Sequence, residues 1–247
     1  WHEMDLAGWL INHHEDKWRV INLPAIAEEN DEIGRKPGEP LCPERFDIER
    51  LEEIKKAVGS RVWASLYQCR PAPQEGLIFK RTHWKRWEQL PEFDNLIQSW
   101  DTTVKEDGSS FVVGQIWGKA GANKYLLDQI RGKWGFTELL SKFRQLSAKW
   151  PRATRKIVEN KANGPAIEDQ LKREMSGIIL VEPLGGKEVR AMAAEPELEA
   201  GNVWIPENEV EYPWVVGFIE EGAPLPNGEN DHQVDPCSPA LTYLRTN

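Results

Sequence analysis

The chain has 247 residues, 40% hydrophobic and 29% charged, a balance that excludes an intrinsically disordered polypeptide. No run approaches the roughly 18–20 apolar residues of a membrane span, so no membrane partner is expected. The net charge of −9 excludes a uniformly basic nucleic-acid binder, although a local basic region would still suffice.

The length fits one large domain, or a medium domain with a fragment of another. The chain opens at Trp1 with no secretory signal pattern, and we expect it to be a piece of a longer protein. Cys42, Cys69 and Cys237 are isolated, so a reducing cytoplasm is expected, with neither a zinc site nor a disulfide framework.

In chain order, Asp5 to Leu10 reads as helical and Trp18-Arg-Val-Ile-Asn-Leu as a buried strand. A loop from Glu28 to Pro43 follows. Asp47 is placed to cap a helix whose apolar residues at 48, 51, 54 and 58 run to Gly59. Arg61 to Gln68 reads as a second short helix, and Pro71-Ala-Pro-Gln-Glu-Gly76 as a linker. Strands are expected at 96–102, 110–117 and 124–130. Short turns at Asp107-Gly108 and around Gly118 to Asn123 should pair them antiparallel.

Thr137 is placed to cap a helix burying Leu139, Leu140, Phe143, Leu146 and Trp150. A buried strand is expected at 155–159, then a helix from Gly164-Pro165 burying Ile167, Leu171 and Met175. Residues 178–182 read as a strand, 187–199 as a helix, 202–205 as a strand and 212–221 as a helix. Three antiparallel strands followed by alternating helix and strand define an α/β fold with a mixed β-sheet.

Three acids stand out. Asp101 ends the run Leu96-Ile-Gln-Ser-Trp-Asp101, Glu159 ends Lys156-Ile-Val-Glu159, and Asp231 lies in Asn227-Gly-Glu-Asn-Asp231-His-Gln-Val-Asp235. In a meander followed by α-β, the first and fourth of these strands become neighbours. Asp101 and Glu159 would then share one crevice at the sheet edge. Carboxylates that close require cations between them, as in metal-dependent phosphodiester hydrolysis. Asp101, Asp231 and Asp235 also suit ordinary turn positions. A carboxylate after Lys-Ile-Val is harder to dismiss, because a buried acid needs a partner or an ion. Asp128 reads as a structural contact and His232 as an exposed loop residue.

Charge is unevenly distributed. Residues 1–60 carry 8 basic and 14 acidic side chains, and residues 182–235 carry 2 and 13. Residues 131–176 carry 11 basic against 5 acidic, and this belt contains Arg155, Lys156 and Lys161 around Glu159. It reads either as a phosphate-backbone contact or as a solvated helix face.

The motifs Trp100-Asp-Thr-Thr, Asp107-Gly-Ser-Ser, Val158-Glu-Asn-Lys-Ala-Asn-Gly164, Gly186-Lys-Glu-Val-Arg190-Ala and Asn230-Asp-His-Gln-Val-Asp235 together resemble the large terminase subunit of tailed bacteriophages. Trp1-His2-Glu3, Asp5-Leu-Ala-Gly8, Leu66-Tyr-Gln68, Pro71-Ala-Pro and Glu75-Gly-Leu-Ile-Phe79 extend the resemblance over almost the whole chain. It implies an ATPase-domain remnant and connector at 1–79, a linker at 80–95 and an RNase H-like nuclease domain at 96–247. It also implies two Mg²⁺ or Mn²⁺ ions on Asp101, Glu159 and Asp231, and phosphate contacts from Lys161, Lys187 and Arg190. Asn160 and Asn163 would position the strand-to-helix loop.

The implied partners are double-stranded viral DNA, the portal protein, the small terminase subunit and the ATPase half of the same chain. The implied location is the cytoplasm of the infected host. The family usually carries two consecutive Asp residues at the third acid, and here His232 takes the second place. Pro236 and Pro239 also enter that segment, so the last helix is expected to begin near Asp235, with Asp231 on a loop and Asp235 the fallback ligand.

The leading expectation is a two-metal endodeoxyribonuclease that cuts concatemeric DNA. A non-catalytic DNA- or portal-binding module and another RNase H-like nuclease, such as a resolvase, are the alternatives. Gly118-Lys119-Ala, Gly132-Lys133-Trp and Gly186-Lys187-Glu lack the hydroxyl of a phosphate-binding loop, so no ATPase activity is expected.

Overall fold

A computed structural model of the chain describes residues 18–70, 79–103, 111–161, 163–182, 185–222 and 232–247, together with Leu6 and Leu10. The chain divides into two units, Trp1–Gly76 and Leu77–Asn247. The linker expected at Pro71–Gly76 and the turn expected at Asp107-Gly108 lie outside the described residues.

In the first unit, helix α1 (Ile48–Val62) begins where expected, with Asp47 Oδ1 accepting the Arg50 amide at 2.8 Å. Its helical geometry breaks at Gly59, where φ is 80° and ψ 164°. A π-helical turn, Trp63–Tyr67, follows. The buried Gln68 then ties this turn to the preceding loop. It accepts the Ile26 amide at 3.0 Å and donates to the Ile26 carbonyl at 3.1 Å.

The strand expected at Trp18 to Leu23 does not form. Those residues belong to no strand, and Trp18 and Ile21 stay 53% and 55% exposed. Apolar character alone does not make a strand, because the backbone groups also need a ladder partner. Among the described residues of this unit none supplies one.

The described residues of the second unit form seven strands: β1 (Lys85–Trp87), β2 (Asn95–Asp101), β3 (Val112–Ala120), β4 (Asn123–Gly132), β5 (Arg155–Glu159), β6 (Ile178–Val181) and β7 (Val203–Pro206). They lie in the order β1-β7-β4-β3-β2-β5-β6. The meander β2-β3-β4 is antiparallel and the remaining pairings are parallel. Strand β1 falls inside the segment 80–95 that sequence alone suggested was a linker. It pairs with β7 from Lys85↔Trp204 to Trp87↔Pro206, and three residues are too few to register as a periodic pattern.

Among the described residues five α-helices cover the two faces: α2 (Phe136–Lys149), α3 (Gly164–Leu171), α4 (Lys187–Glu199), α5 (Trp214–Gly222) and α6 (Cys237–Thr246). Helix α2 starts one residue before Thr137, with Gly135 in the cap position and no side-chain cap. One core joins Ile97, Trp117, Leu126 and Ile157 of the sheet to α4, α5 and α6. The other joins Leu96, Trp100, Leu127 and Val158 to α2 and α3. The alternation of strand side chains therefore sends Ile97, Ser99 and Asp101 to the first face and Leu96, Gln98 and Trp100 to the second.

Gly114 leaves room for the indole of Trp100, since a Cβ there would lie 2.6 Å from the ring. That indole stacks on Phe143 at 4.5 Å and anchors α2 to the centre of the sheet. Among the described residues no helix is long and apolar enough to cross a membrane.

Candidate active site

Strands β2 and β5 are parallel neighbours in the register Ser99↔Ile157 and Trp100↔Val158. Asp101 and Glu159 follow these pairs by one residue, and both belong to the face that carries Ile97 and Ile157. Adjacent strands lie about 4.8 Å apart, so the two carboxylate-bearing positions are side by side at the carboxyl ends of the strands. The adjacency expected from the order of elements is thus present.

Asp101 is buried, and its carboxylate does two things at once. Oδ1 accepts the Thr103 amide at 3.1 Å and the Thr103 hydroxyl at 2.8 Å, closing a local turn. Oδ2 faces the Nδ1 atom of His232 at 3.6 Å. The turn role and the site role are therefore compatible, one oxygen serving each. Glu159 is half-buried at the mouth of β5.

The loop after Glu159 is held in place from both sides. The Asn160 amide continues the β5-β6 ladder to the Val181 carbonyl at 2.8 Å, and its side chain donates to Glu182. The Asn163 side chain donates to the Thr102 carbonyl at 3.1 Å, tying this loop to the end of β2. Gly164 completes the turn, because a Cβ there would meet the Glu159 carbonyl oxygen at 2.0 Å. Asn160 and Asn163 thus position the loop, as the motif implied.

The third element arrives through the turn 232–236. Asp231 itself lies outside the described residues, and so its ligand role is not tested. Gln233, 2% exposed, fastens the turn through all of its polar groups. Its carbonyl accepts Gln115 Nε2 at 2.6 Å and its Oε1 accepts Gln129 Nε2 at 2.7 Å. Its amide and Nε2 donate to Glu221 at 2.7 and 2.8 Å. Glu221 also pairs with Arg131 at 3.0 Å, and Ser99 Oγ donates to the Pro236 carbonyl at 2.6 Å.

Helix α6 begins at Cys237, two residues later than expected, with Pro236 as its cap. Pro239 is then the third helical residue, where no intrahelical N–H bond is lost, so it does not disturb the helix. His232 is not an exposed loop residue either, because its side chain is 24% exposed and set against Asp101.

Sequence reasoning missed Gln115, Gln129, Glu221 and Gln233. The available signal was a glutamine inside each of two otherwise buried strands, since a buried amide must find partners. Asp128 does make a structural contact, accepting Trp150 Nε1 at 2.7 Å and Lys149 Nζ at 2.6 Å.

Part of the basic belt is paired internally. Arg144 pairs with Glu174, Lys172 with Asp169, Lys149 with Asp128 and Arg131 with Glu221. The expectation for Lys156 is corrected. It is 6% exposed at the start of β5, and its ammonium donates to the Thr154 and Ser176 carbonyls at 3.2 Å each. Burial lowers its pKa below the ordinary lysine value.

Arg155 is exposed but belongs to that same end, whereas Lys161 is exposed two residues beyond Glu159. Lys187 and Arg190 open helix α4, and their side chains lie outside the described residues. Among the described residues no group of three or more His, Cys, Asp or Glu side chains is placed to hold a metal ion. The two carboxylates do supply the hard oxygen donors that divalent cations such as magnesium prefer.

The seven-stranded mixed sheet between helical layers, with two acids at adjacent strand ends, defines an α/β domain of RNase H-like type. Solved structures bear this out. A large terminase from a thermophilic bacteriophage matches 79% of this chain and 52% of its own, at 12% identity and a TM-score of 0.58. The large terminase nuclease from the thermophilic phage G20c with bound magnesium matches 69% of this chain and 98% of its own, at 13% identity and a TM-score of 0.50. The same nuclease with bound cobalt matches equally well, at 12% identity.

No protein-family profile and no curated protein matches the chain. It spans 52% of the first of these terminases, and at these identities the likeness establishes the fold: that of the terminase nuclease domain.

Proposed function

We propose that this chain is a metal-dependent endonuclease that cuts concatemeric double-stranded viral DNA as part of a large terminase. The observation that carries this reading is the pairing of Asp101 with Glu159 at the ends of adjacent parallel strands, in a fold shared with a terminase nuclease. Asp101, Glu159 and Asp231 would hold two divalent cations, Mg²⁺ or Mn²⁺. Such ions supply an activated water and neutralise charge on the leaving 3′ oxygen.

The residues of the chain do the positioning. Thr103 orients one oxygen of Asp101 and so fixes the direction of the other. Asn163 and Gly164 hold the Glu159 loop against the end of β2. Gln233 pins the turn that follows Asp231 to β3 and β4. Lys161, with Lys187 and Arg190 at the start of α4, would meet the phosphate backbone.

In this reading residues 1–79 are the end of an ATPase domain with its connector. The implied partners are the portal protein, the small terminase subunit and the remaining ATPase half, in the cytoplasm of an infected bacterium. The test is conversion of supercoiled plasmid to nicked and linear forms in Mn²⁺. Asp101→Asn and Glu159→Gln should each abolish it with the fold intact, and undiminished cutting by either variant would overturn the assignment. If calorimetry instead detects no Mn²⁺ binding while salt-dependent DNA binding persists, the chain is a non-catalytic DNA-binding module.

A further inference from the structure

Asp101, Val113 and Arg131 stand opposite one another across β2, β3 and β4, and so share one face of the sheet. Two strand spacings put Arg131 about 10 Å from Asp101 along this row. Arg131 does not stand there alone. Its guanidinium carbon lies 3.9 Å from the ring centroid of Phe111, and the Lys133 ammonium lies 5.0 Å from the same centroid. The His232 ring lies 6.2 Å from Phe111 and 3.6 Å from the Asp101 carboxylate, bridging the aromatic ring to the acid.

These groups form a cationic cluster on the rim of the Asp101–Glu159 crevice, and its two cations open the basic belt of residues 131–176. Two cations gathered on one ring repel each other, and Glu221 balances only one of them, Arg131. Lys133 is exposed. An anion entering beside the ring would relieve that repulsion and make charge-assisted hydrogen bonds to both side chains. The neighbouring crevice, lined by carboxylates, repels a polyanion unless cations flank it.

We propose that Phe111, Arg131 and Lys133 form a phosphate-binding site for the DNA backbone, close to the bond held at Asp101. Because successive phosphates wind around the helix axis, their through-space spacing exceeds the roughly 3.4 Å axial rise, and about 10 Å reaches only a near-neighbour phosphate. Phe111 serves as the platform that keeps both cations at the rim, and Glu221 pairs with Arg131. The site uses β3 and β4, so it grips the backbone on the side of the crevice away from Lys161. The inference rests on the nuclease reading for its substrate class, while its test does not depend on cleavage.

The experiment measures binding of the full chain to a short labelled duplex by fluorescence anisotropy, without divalent metal, over a range of KCl concentrations. Lys133→Ala should weaken binding about 3–10-fold at low salt and reduce the slope of log K against log salt by about one, while Lys133→Arg retains both. Phe111→Leu, which keeps an apolar side chain but removes the platform, should shift both quantities in the direction of Lys133→Ala. An unchanged affinity and slope in Lys133→Ala overturns the proposal. Lys133-dependent binding by a chain that never cuts DNA in Mn²⁺ upholds the phosphate site and removes the nuclease reading. Cutting together with Lys133-independent binding does the reverse.

Discussion

The two ends of strand β5 carry similar residues and meet opposite fates. At its start, Lys156 is buried under two carbonyls, and Arg155 beside it faces solvent at the end away from Glu159. At its finish, Glu159 joins Asp101, and Lys161 is exposed just beyond. Only four residues separate Arg155 from Glu159, but at about 3.3 Å per residue a strand carries them some 13 Å apart. Nearness in sequence along a strand is therefore a poor guide to membership of a site. Nearness across the sheet is the better one, as Arg131 and Asp101 show despite their separation along the chain.

The sharpest way to break this comparison is to remove a charge at each end. Asp101→Asn should reduce Mn²⁺-dependent plasmid cleavage by about 10²–10³-fold, since removing a group that acts on developing charge costs on that order. Arg155→Ala should leave the rate within about twofold. A comparable loss in both variants would show that the far end of β5 belongs to the site.

Next in size is Gln233→Leu. It leaves the Gln129 amide without its acceptor, while the Glu221 oxygen keeps its pairing with Arg131, so urea denaturation should report a loss of roughly 1–3 kcal/mol. A change below about 0.5 kcal/mol would mean that the turn is not held by this network.

A smaller effect separates the two lysines. Lys161→Ala should weaken duplex binding about 2–5-fold and lower the salt slope, whereas Lys156→Met should change neither. Loss of affinity in Lys156→Met would restore that residue to the DNA-contact set.

The smallest effect concerns pH. Burial lowers the pKa of Lys156, so the folded chain binds fewer protons than the unfolded chain between the lowered value and the ordinary lysine value. Stability from this group consequently rises as pH climbs through that window, and is at its lowest below it. Urea midpoints of the parent chain relative to Lys156→Met should move upward as pH rises toward the ordinary lysine value. A difference that stays flat, or moves downward, would show that the ammonium is well solvated or well paired in the fold.

Much of this was legible in the chain itself. Leu96 to Trp100, Lys156 to Val158 and the helical stripe from Leu139 to Leu146 declared their elements because burial imposes a period that a sequence must obey. Their order, meander then α-β, sufficed to bring the ends of β2 and β5 together, and Asp101 and Glu159 came with them. The short edge strand Lys85–Trp87 left no such trace, and Trp18 to Leu23 left a misleading one, because a strand exists only where a partner completes its ladder.

Other features were decided only in three dimensions. Whether a lysine of the belt faces solvent, an acid or a carbonyl depends on what packs over it. Arg144, Lys149 and Lys172 are neutralised by acids that composition counts separately. The polar contacts of Gln233 gather Gln115, Gln129 and Glu221 from three further elements, and no local pattern encodes a network that spans more than a hundred residues.

The sequence by itself thus determined the α/β class and the meeting of Asp101 with Glu159, since periodicity and element order are local properties of the chain. The tertiary structure alone decided which cations remain available and how the turn after Asp231 is fixed, since burial and pairing depend on residues far apart in sequence.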